Sequence, residues 1–561
     1  MPTRLLWAFA LAACQDGEPG PQAGVDTGPT VEDTHAPLEA RPPSWTCQAP
    51  PDVWTACAAP DDALPVRPWA PQLYAGGWGG SAYDPFETVV PTLFDPDGDG
   101  DLDLFVTRYP AQPTFLERVA GGWRASAVPV PVLLGASEAV TTDLNGDGYD
   151  DLLVVAVTPG SPFDNDAAAF YDVWTAARLG EDFSIVPPEV SVRVLLGGPS
   201  GLTDATADHP IAPLAVPGDP TPFEFPGLTL EDVDDDDVAE LVLRGGDDGR
   251  SRVLWLDGSG RIDADRYPDR AIKSQLLRMD LDGDDRRDDL MLNFAASETG
   301  ELPMRALLAD GQVVTSPCAP PRGSPMGVDA GDVDGDGALD LYVADRGAQG
   351  LCLARDGGWF SAGTALGASV ESNGEGLEIT WSARVLDLDA DGDADLLATG
   401  AWETPDARWG QQTLAVLSDG TTFTPRQDAA LFEVGHSRAL AVGDVDGDGC
   451  VDGVLGGVLG GVTPEDGGLF WLHNGLCSSR DLTFVPTLDA AGRALPGVEV
   501  VVRYADGRRV AARSTGSGGH AGHGQVGAWI VKEGAVELQV RWPSGRRQAL
   551  DGVPEVLRAV R

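Results

Sequence analysis

Asp332-Val-Asp-Gly-Asp-Gly-Ala-Leu-Asp340, followed at once by Leu341, Tyr342 and Val343, is the stretch on which the reading of the whole chain turns. Asp332, Asp334, Asp336 and Asp340 put carboxylates at positions 1, 3, 5 and 9 of a nine-residue loop. Six further stretches repeat the pattern with carboxylate or amide oxygens: Asp95, Asp97, Asp99 and Asp103; Asp143, Asn145, Asp147 and Asp151; Asp232, Asp234, Asp236 and Glu240; Asp280, Asp282, Asp284 and Asp288; Asp387, Asp389, Asp391 and Asp395; Asp444, Asp446, Asp448 and Asp452. Ca²⁺ takes six to eight hard oxygens at roughly 2.3–2.6 Å, and alternate residues of a tightly wound loop can all face one centre. A backbone carbonyl at position 7 would add to the set. These residues are therefore the expected metal ligands.

Position 6 supplies the stereochemistry, because a chain doubling back on an ion needs a residue that tolerates positive φ. Gly100, Gly148, Gly337, Gly392 and Gly449 meet that need; Asp237 and Asp285 stand there in the third and fourth copies, which rank as the two weaker of the expected Ca²⁺ sites beside five strong ones. In the fourth copy adjacent acids leave open whether Asp288 or Asp289 closes the loop. An EF-hand starts the same way but ends in a bidentate Glu at position 12 between two helices. Here position 12 holds Val106, Val154, Leu243, Met291, Val343, Ala398 and Leu455, inside apolar runs that read as buried strands. The loop joins strand to strand. Seven acidic turns that bind nothing are the alternative, disfavoured by the repulsion among their carboxylates.

The chain has 561 residues and a formal net charge of −50, which excludes nucleic acid as a partner and implies a cation-rich compartment. With 71 Gly and 44 Pro, few windows are long enough for a helix. Successive loops start 48, 89, 48, 52, 55 and 57 residues apart. Periods near 50 suit the four-stranded blades of a β-propeller, whereas a linear β-helix, the alternative, repeats over about 20 residues or fewer.

Met326-Gly-Val-Asp-Ala-Gly-Asp-Val-Asp-Gly-Asp-Gly-Ala-Leu-Asp-Leu-Tyr-Val343 resembles the FG-GAP, or integrin-alpha-type, calcium repeat, as does Val194-Leu-Leu-Gly-Gly-Pro-Ser-Gly-Leu-Thr203. The resemblance recurs over some 400 residues. It implies an all-β fold, a seven-bladed propeller with a Ca²⁺ loop between two strands of each blade, spanning residues 71–480. The third copy departs from the pattern with Glu240 at position 9. Residues 482–561 differ in character, with 11 Lys and Arg against 7 Asp and Glu. Val498 to Tyr504, Val536 to Trp542 and Gln548 to Val553 read as strands separated by turns at Asp506-Gly507 and Pro543-Ser544-Gly545. Arg541-Trp-Pro-Ser-Gly545, with Gly497-Val-Glu-Val500 upstream, resembles the ASPIC/UnbV module of proteins similar to cartilage acidic protein. Residues 481–561 are thus expected to form a small C-terminal β domain.

At the N-terminus, Arg4, the apolar run Leu5 to Ala13, and Leu11-Ala-Ala-Cys14 resemble a bacterial lipoprotein signal over residues 1–14, with Cys14 the lipidated residue; a plain secretory signal cut after Ala12 is the alternative. Seven cysteines would leave an odd thiol in an exported protein, and lipidating Cys14 leaves six. Six permit fifteen pairings; neighbours Cys47–Cys57, Cys318–Cys352 and Cys450–Cys477 are the simplest. Residues 15–70 read as a disordered tether, with a reach of roughly 30 Å for about 30 residues, and a small cysteine-stapled lead-in.

The 89-residue gap holds an insertion with an amphipathic pattern, Phe170, Val173, Trp174 and Ala177, that predicts a helix from Ala167 to Leu179, packed on the propeller or presenting aromatics to a ligand. Gly516 to Gly524, with His520 and His523, reads as a mobile surface loop, since neither a phosphate cradle nor a metal site has the parts it needs nearby. No nucleophile elbow, zincin motif or P-loop occurs. The expected function is a membrane-anchored, exported lipoprotein at the outer membrane or cell surface whose Ca²⁺ propeller binds an extracellular protein or polysaccharide, without enzymatic activity. A polysaccharide lyase or hydrolase with a hidden carboxylate pair, and a structural spacer, are the alternatives.

Overall fold

The computed structural model describes residues 54–57 and 87–559 apart from a set of connecting segments, the longest of them 158–188 and 401–412. The chain divides into two units, 1–42 and 43–561, and every described residue lies in the second. Cys14 and the helix expected over 167–179 fall outside the described residues.

Short apolar runs such as Leu152-Leu153-Val154-Val155-Ala156 are buried on both faces, and β-branched and leucine side chains flanked by acidic and glycine turns give strands. The strands form antiparallel meanders, so the arrangement is nearly all-β and that of a β-propeller. In each repeat the first two strands flank one loop: Glu87–Phe94 and Asp103–Tyr109; Glu138–Thr142 and Asp151–Val157; Gly227–Glu231 and Glu240–Arg244; Leu276–Met279 and Asp288–Leu292; Pro325–Gly331 and Asp340–Asp345; Thr380–Leu386 and Asp395–Gly400; Ser437–Gly443 and Asp452–Leu459. We number the loops one to seven in this order.

Five blades, those of loops two to six, are each built from a meander of four strands. The strands of loops one and seven are hydrogen-bonded to each other, with Glu87 opposite Leu459 and Thr88 opposite Val458. The loop-seven group takes its fourth strand, Trp54–Cys57, from the segment that the sequence suggests is a lead-in; it pairs with Leu469–Asn474. Apolar clusters fill the spaces between neighbouring repeats. Phe94 and Phe105 meet Leu152 and Val154, Tyr342 and Leu351 meet Leu396 and Val416, and Leu93 and Trp123 meet Ala441 and Trp471.

First strands of successive repeats lie against one another and so line the axis. Between them runs Gly516 to Gly524, which corrects the sequence reading of a mobile surface loop. Gly519 bridges Ser382, the Leu440 N–H donates to Ala521 O (3.0 Å), and Thr92 aligns with His523 in parallel register. The glycines are there because backbone meets backbone: a Cβ on Gly524 would lie 2.2 Å from Val442 O, and one on Gly519 would lie 2.7 Å from the Gly327 Cα. His523 is buried, and that burial, with Arg384 nearby, pushes its imidazole down to about 3, so it is neutral.

From Leu482 onward the strands build a separate β assembly in which Arg509–Arg513, Glu499–Tyr504, Ala535–Arg541 and Arg547–Asp551 lie in sequence across one sheet. Ala512 pairs with Gly331, and Arg513 reaches Glu231, a carboxylate it shares with Arg287. Cys450 and Cys477 are disulfide-bonded, as expected from their neighbourhood. Cys352 is also disulfide-bonded, while the side chains of Cys47, Cys57 and Cys318 lie outside the described residues. Gly524→Ala should destabilise the protein by about 1–3 kcal/mol through overpacking at the axis, read as a lowered urea midpoint.

Candidate metal centres in the strand-connecting loops

Every loop is closed by the same strand register. The residue before position 1 pairs with position 9: Phe94 with Asp103, Thr142 with Asp151, Glu231 with Glu240, Met279 with Asp288, Gly331 with Asp340, Leu386 with Asp395, and Gly443 with Asp452. The flanking strands are antiparallel, which sets the loops apart from the helix–loop–helix of an EF-hand. The register also decides the fourth copy. Asp288 closes it, whereas Asp289 accepts from Arg278 Nε (2.8 Å).

Position 1 is held the same way throughout. Its Oδ2 accepts the N–H of position 6 in all seven loops, at 3.1 Å for Gly100, 2.9 Å for Gly148, 2.8 Å for Asp237 and Asp285, 2.9 Å for Gly337 and Gly392, and 3.0 Å for Gly449. That bond requires the left-handed backbone the sequence calls for. The five glycines have φ between 89° and 93°, and Asp237 and Asp285 adopt 65° and 68°. Aspartate is among the few residues that enter this region. The turn of loops three and four is therefore intact, and a reason for their aspartates has to be sought elsewhere.

Position 9 is a staple between strands. One oxygen accepts the position-2 N–H in loops two to seven, as from Leu144 to Asp151 (2.8 Å) and Val233 to Glu240 (2.9 Å); loop one has Pro96 there, which has no N–H to give. The other oxygen accepts an N–H from the end of the third strand or the residue just beyond it, as from Gly197 to Asp151 (2.8 Å) or Ser418 to Asp395 (2.7 Å).

Positions 1, 3 and 5 converge. Asp95, Asp97 and Asp99, then Asp232, Asp234 and Asp236, then Asp332, Asp334 and Asp336 each bring three carboxylate oxygens within 4.8 Å of one another; in loop four Asp280, Asp282 and Asp288 do so. In loop two the Asn145 amide donates to Asp147 Oδ2 (3.0 Å). Buried oxygens are left over: Asp389 Oδ1 in loop six and Asp444 Oδ1 in loop seven have no hydrogen-bond partner. An all-oxygen set with unsatisfied buried acceptors fits a hard divalent cation such as Ca²⁺. These clusters could hold metal ions.

The electrostatics agree. Burial, reinforced by neighbouring loop carboxylates, raises Asp103, Asp151 and Asp340 to about 7, Asp232 and Asp387 to about 7, Asp332 and Asp444 to about 6, and Glu240 and Asp395 to about 9. Backbone donors oppose the shift without cancelling it. Protein cations partly relieve single loops: Arg355 pairs with Asp334, Arg286 with Asp284, and His473 Nδ1 lies 3.0 Å from Asp446 Oδ2. His473 was not legible as a site residue, because it sits on a strand distant from the loop in sequence and carries no motif.

Residues 95–154 and 332–398 match the FG-GAP-like repeat family. The chain carries FG-GAP-like repeats. Among solved structures, it is similar to an Agrocybe aegerita lectin described as recognising non-reducing terminal N-acetylglucosamine (16% identity, 71% of this chain and 92% of that chain, TM-score 0.33). Rhamnogalacturonan lyase YesW is also similar (12% identity, 70% and 73%, TM-score 0.37), as is BBS1N in its complex with ARL6DN (11% identity, 75% and 97%, TM-score 0.38). At such identities and scores these likenesses bear on neither ligand nor chemistry. No curated protein sequence matches the chain.

The raised carboxylates fix a sign. Between about pH 4 and 7 the metal-free folded state binds protons that the unfolded chain has already released, so its stability should increase as pH falls from 8 towards 5.5. With saturating Ca²⁺ protons compete with the cation, and the trend should flatten or reverse. Thermal melts of dialysed and Ca²⁺-loaded protein across that range check both.

Proposed function

We propose that the protein is an exported, surface-anchored recognition module: a seven-bladed β-propeller with Ca²⁺ in its strand-connecting loops, binding an extracellular protein or polysaccharide. The observation that carries this reading is the sevenfold recurrence of one loop geometry, in which the position-6 N–H holds the position-1 carboxylate. The apolar cluster joining loop-seven strands to loop-one strands supports a closed ring of seven. The ions would be held by positions 1, 3 and 5, with position 9 fastening the loop to its blade. At 1 mM Ca²⁺ a site with a dissociation constant near 0.1 mM contributes about 1.4 kcal/mol, so five add about 7 kcal/mol if independent.

We take binding rather than catalysis as the role, because Glu240 and Asp395, the carboxylates raised to about 9, are committed to backbone N–H groups within the loops. The axis is filled by the chain's own Gly516 to Gly524, which leaves the rim and the faces for a ligand. In this reading residues 481–561 are an ASPIC/UnbV-like domain and Cys14 carries the lipid anchor; the Cys450–Cys477 disulfide suits an oxidising compartment.

Two measurements test it. A glycan and surface-protein array probed at 1 mM Ca²⁺ should give hits that vanish with EGTA, and hits indifferent to EGTA would remove the calcium dependence. Cys14→Ser should move the full-length protein from the membrane to the soluble fraction, and unchanged detergent-dependent fractionation would remove the lipid anchor.

A further inference from the structure

The two loops without glycine at position 6 are the two whose position-6 side chains meet the C-terminal domain. Asp237 accepts two hydrogen bonds from Ser544, N–H to Oδ1 at 2.9 Å and hydroxyl to Oδ2 at 2.8 Å, and Arg546 Nη2 lies 3.5 Å from the same Oδ2. Asp285 Oδ1 lies 2.5 Å from Arg547 Nη2, and Arg541 Nη1 stands 3.6 Å from Asp280 Oδ2. Ser544, Arg546 and Arg547 sit on one tight turn, pinned by Trp542 N–H to Arg546 O (2.9 Å) and Gly545 N–H to Trp542 O (2.8 Å). This is the Arg-Trp-Pro-Ser-Gly stretch that stands out in the sequence. At loop five the corresponding docking uses backbone, Ala511 N–H to Asp332 Oδ2 at 3.0 Å, and position 6 is free to be Gly337.

Loops three and four are also tied to each other by arginine. Asp235, at position 4 of loop three, takes Arg278 Nη1 at 2.9 Å and Arg287 Nη1 at 3.2 Å, and both arginines come from the loop-four repeat. Arg286 covers Asp284. Glycine at position 6 would suit the turn better, so aspartate there needs a compensating contact, and the Ser544 turn supplies it. Of the two, Asp237 carries more weight: its side chain is 14% exposed, whereas Asp285 and Arg547 are 72% and 66% exposed and such a pair contributes little alone.

We propose that loops three and four are a docking platform for the C-terminal domain, held by arginine and serine contacts that need no divalent cation, while the remaining five loops are the exchangeable metal sites. The division of loops rests on the metal reading given above; the docking contacts do not. The platform fixes the C-terminal sheet over the loop face even when the other loops are emptied.

The test uses the full-length protein. Native mass spectrometry counts Ca²⁺, and hydrogen exchange follows residues 535–551. Wild type should take five Ca²⁺, with 535–551 equally protected in Ca²⁺ and in EGTA. Asp237→Gly with Asp285→Gly should bind more than five ions and raise exchange across 543–547 about tenfold. Ser544→Ala with Arg546→Ala and Arg547→Ala, which leaves the loops untouched, should raise the same exchange. Seven ions on wild type, or loss of 535–551 protection in EGTA, would overturn the platform. So would unchanged exchange in both variants. Wild type binding no metal at all would instead remove the general metal reading, and raised exchange in the two variants would still support the docking contacts.

Discussion

Carboxylates gathered in a tight turn repel one another, and each repeat of this protein gathers at least three oxygen-bearing side chains into such a turn. Backbone geometry makes that possible without neutralising it. The position-6 N–H orients the position-1 carboxylate, and position 9 spends its oxygens on N–H groups of two neighbouring segments. Those bonds fix the loop shape and favour the ionised form, yet burial still leaves position-1 and position-9 acids raised towards 6 to 9. The remaining charge calls for a cation. Where the chain supplies its own, as Arg278 and Arg287 do at Asp235, the loop becomes a structural joint.

The C-terminal domain is integral to the propeller. Its glycine-rich strand fills the axis, its Ala512 pairs with the fifth repeat, and Arg513 enters the buried cluster of Glu231 and Arg287. All three charged side chains are nearly inaccessible, so removing one partner would strand the others; breaking a buried pair costs about 3–5 kcal/mol, well above any exposed pair on the loop face. Stability of the ring and docking of the last 80 residues are thus coupled through the axis and through the rim.

Sequence made the repeating loops legible because ligand spacing and the φ requirement at position 6 are local properties, and the strands beside them because runs such as Leu104-Phe105-Val106 are local too. Position 9 of the third and fourth copies needed the strand register, which is a pairing property and invisible along one strand. The membership of Trp54–Cys57 in the last repeat could not be read, since its partner Leu469–Asn474 lies over 400 residues away. Gly516 to Gly524 misled for a physical reason: glycine serves both mobile loops and places where two backbones touch, and only the neighbouring strands distinguish them. Asp237 and Asp285 looked like defects in a metal loop because their partners, Ser544, Arg546 and Arg547, are distant in sequence.

The most direct test of the central claim is a crystal structure of the protein grown in Ca²⁺, with anomalous data collected at long wavelength. The account predicts anomalous peaks between positions 1, 3 and 5 of loops one, two, five, six and seven, each about 2.3–2.6 Å from its oxygen ligands. Well-ordered loops with no such peak, their carboxylates satisfied by backbone and arginine alone, would contradict it.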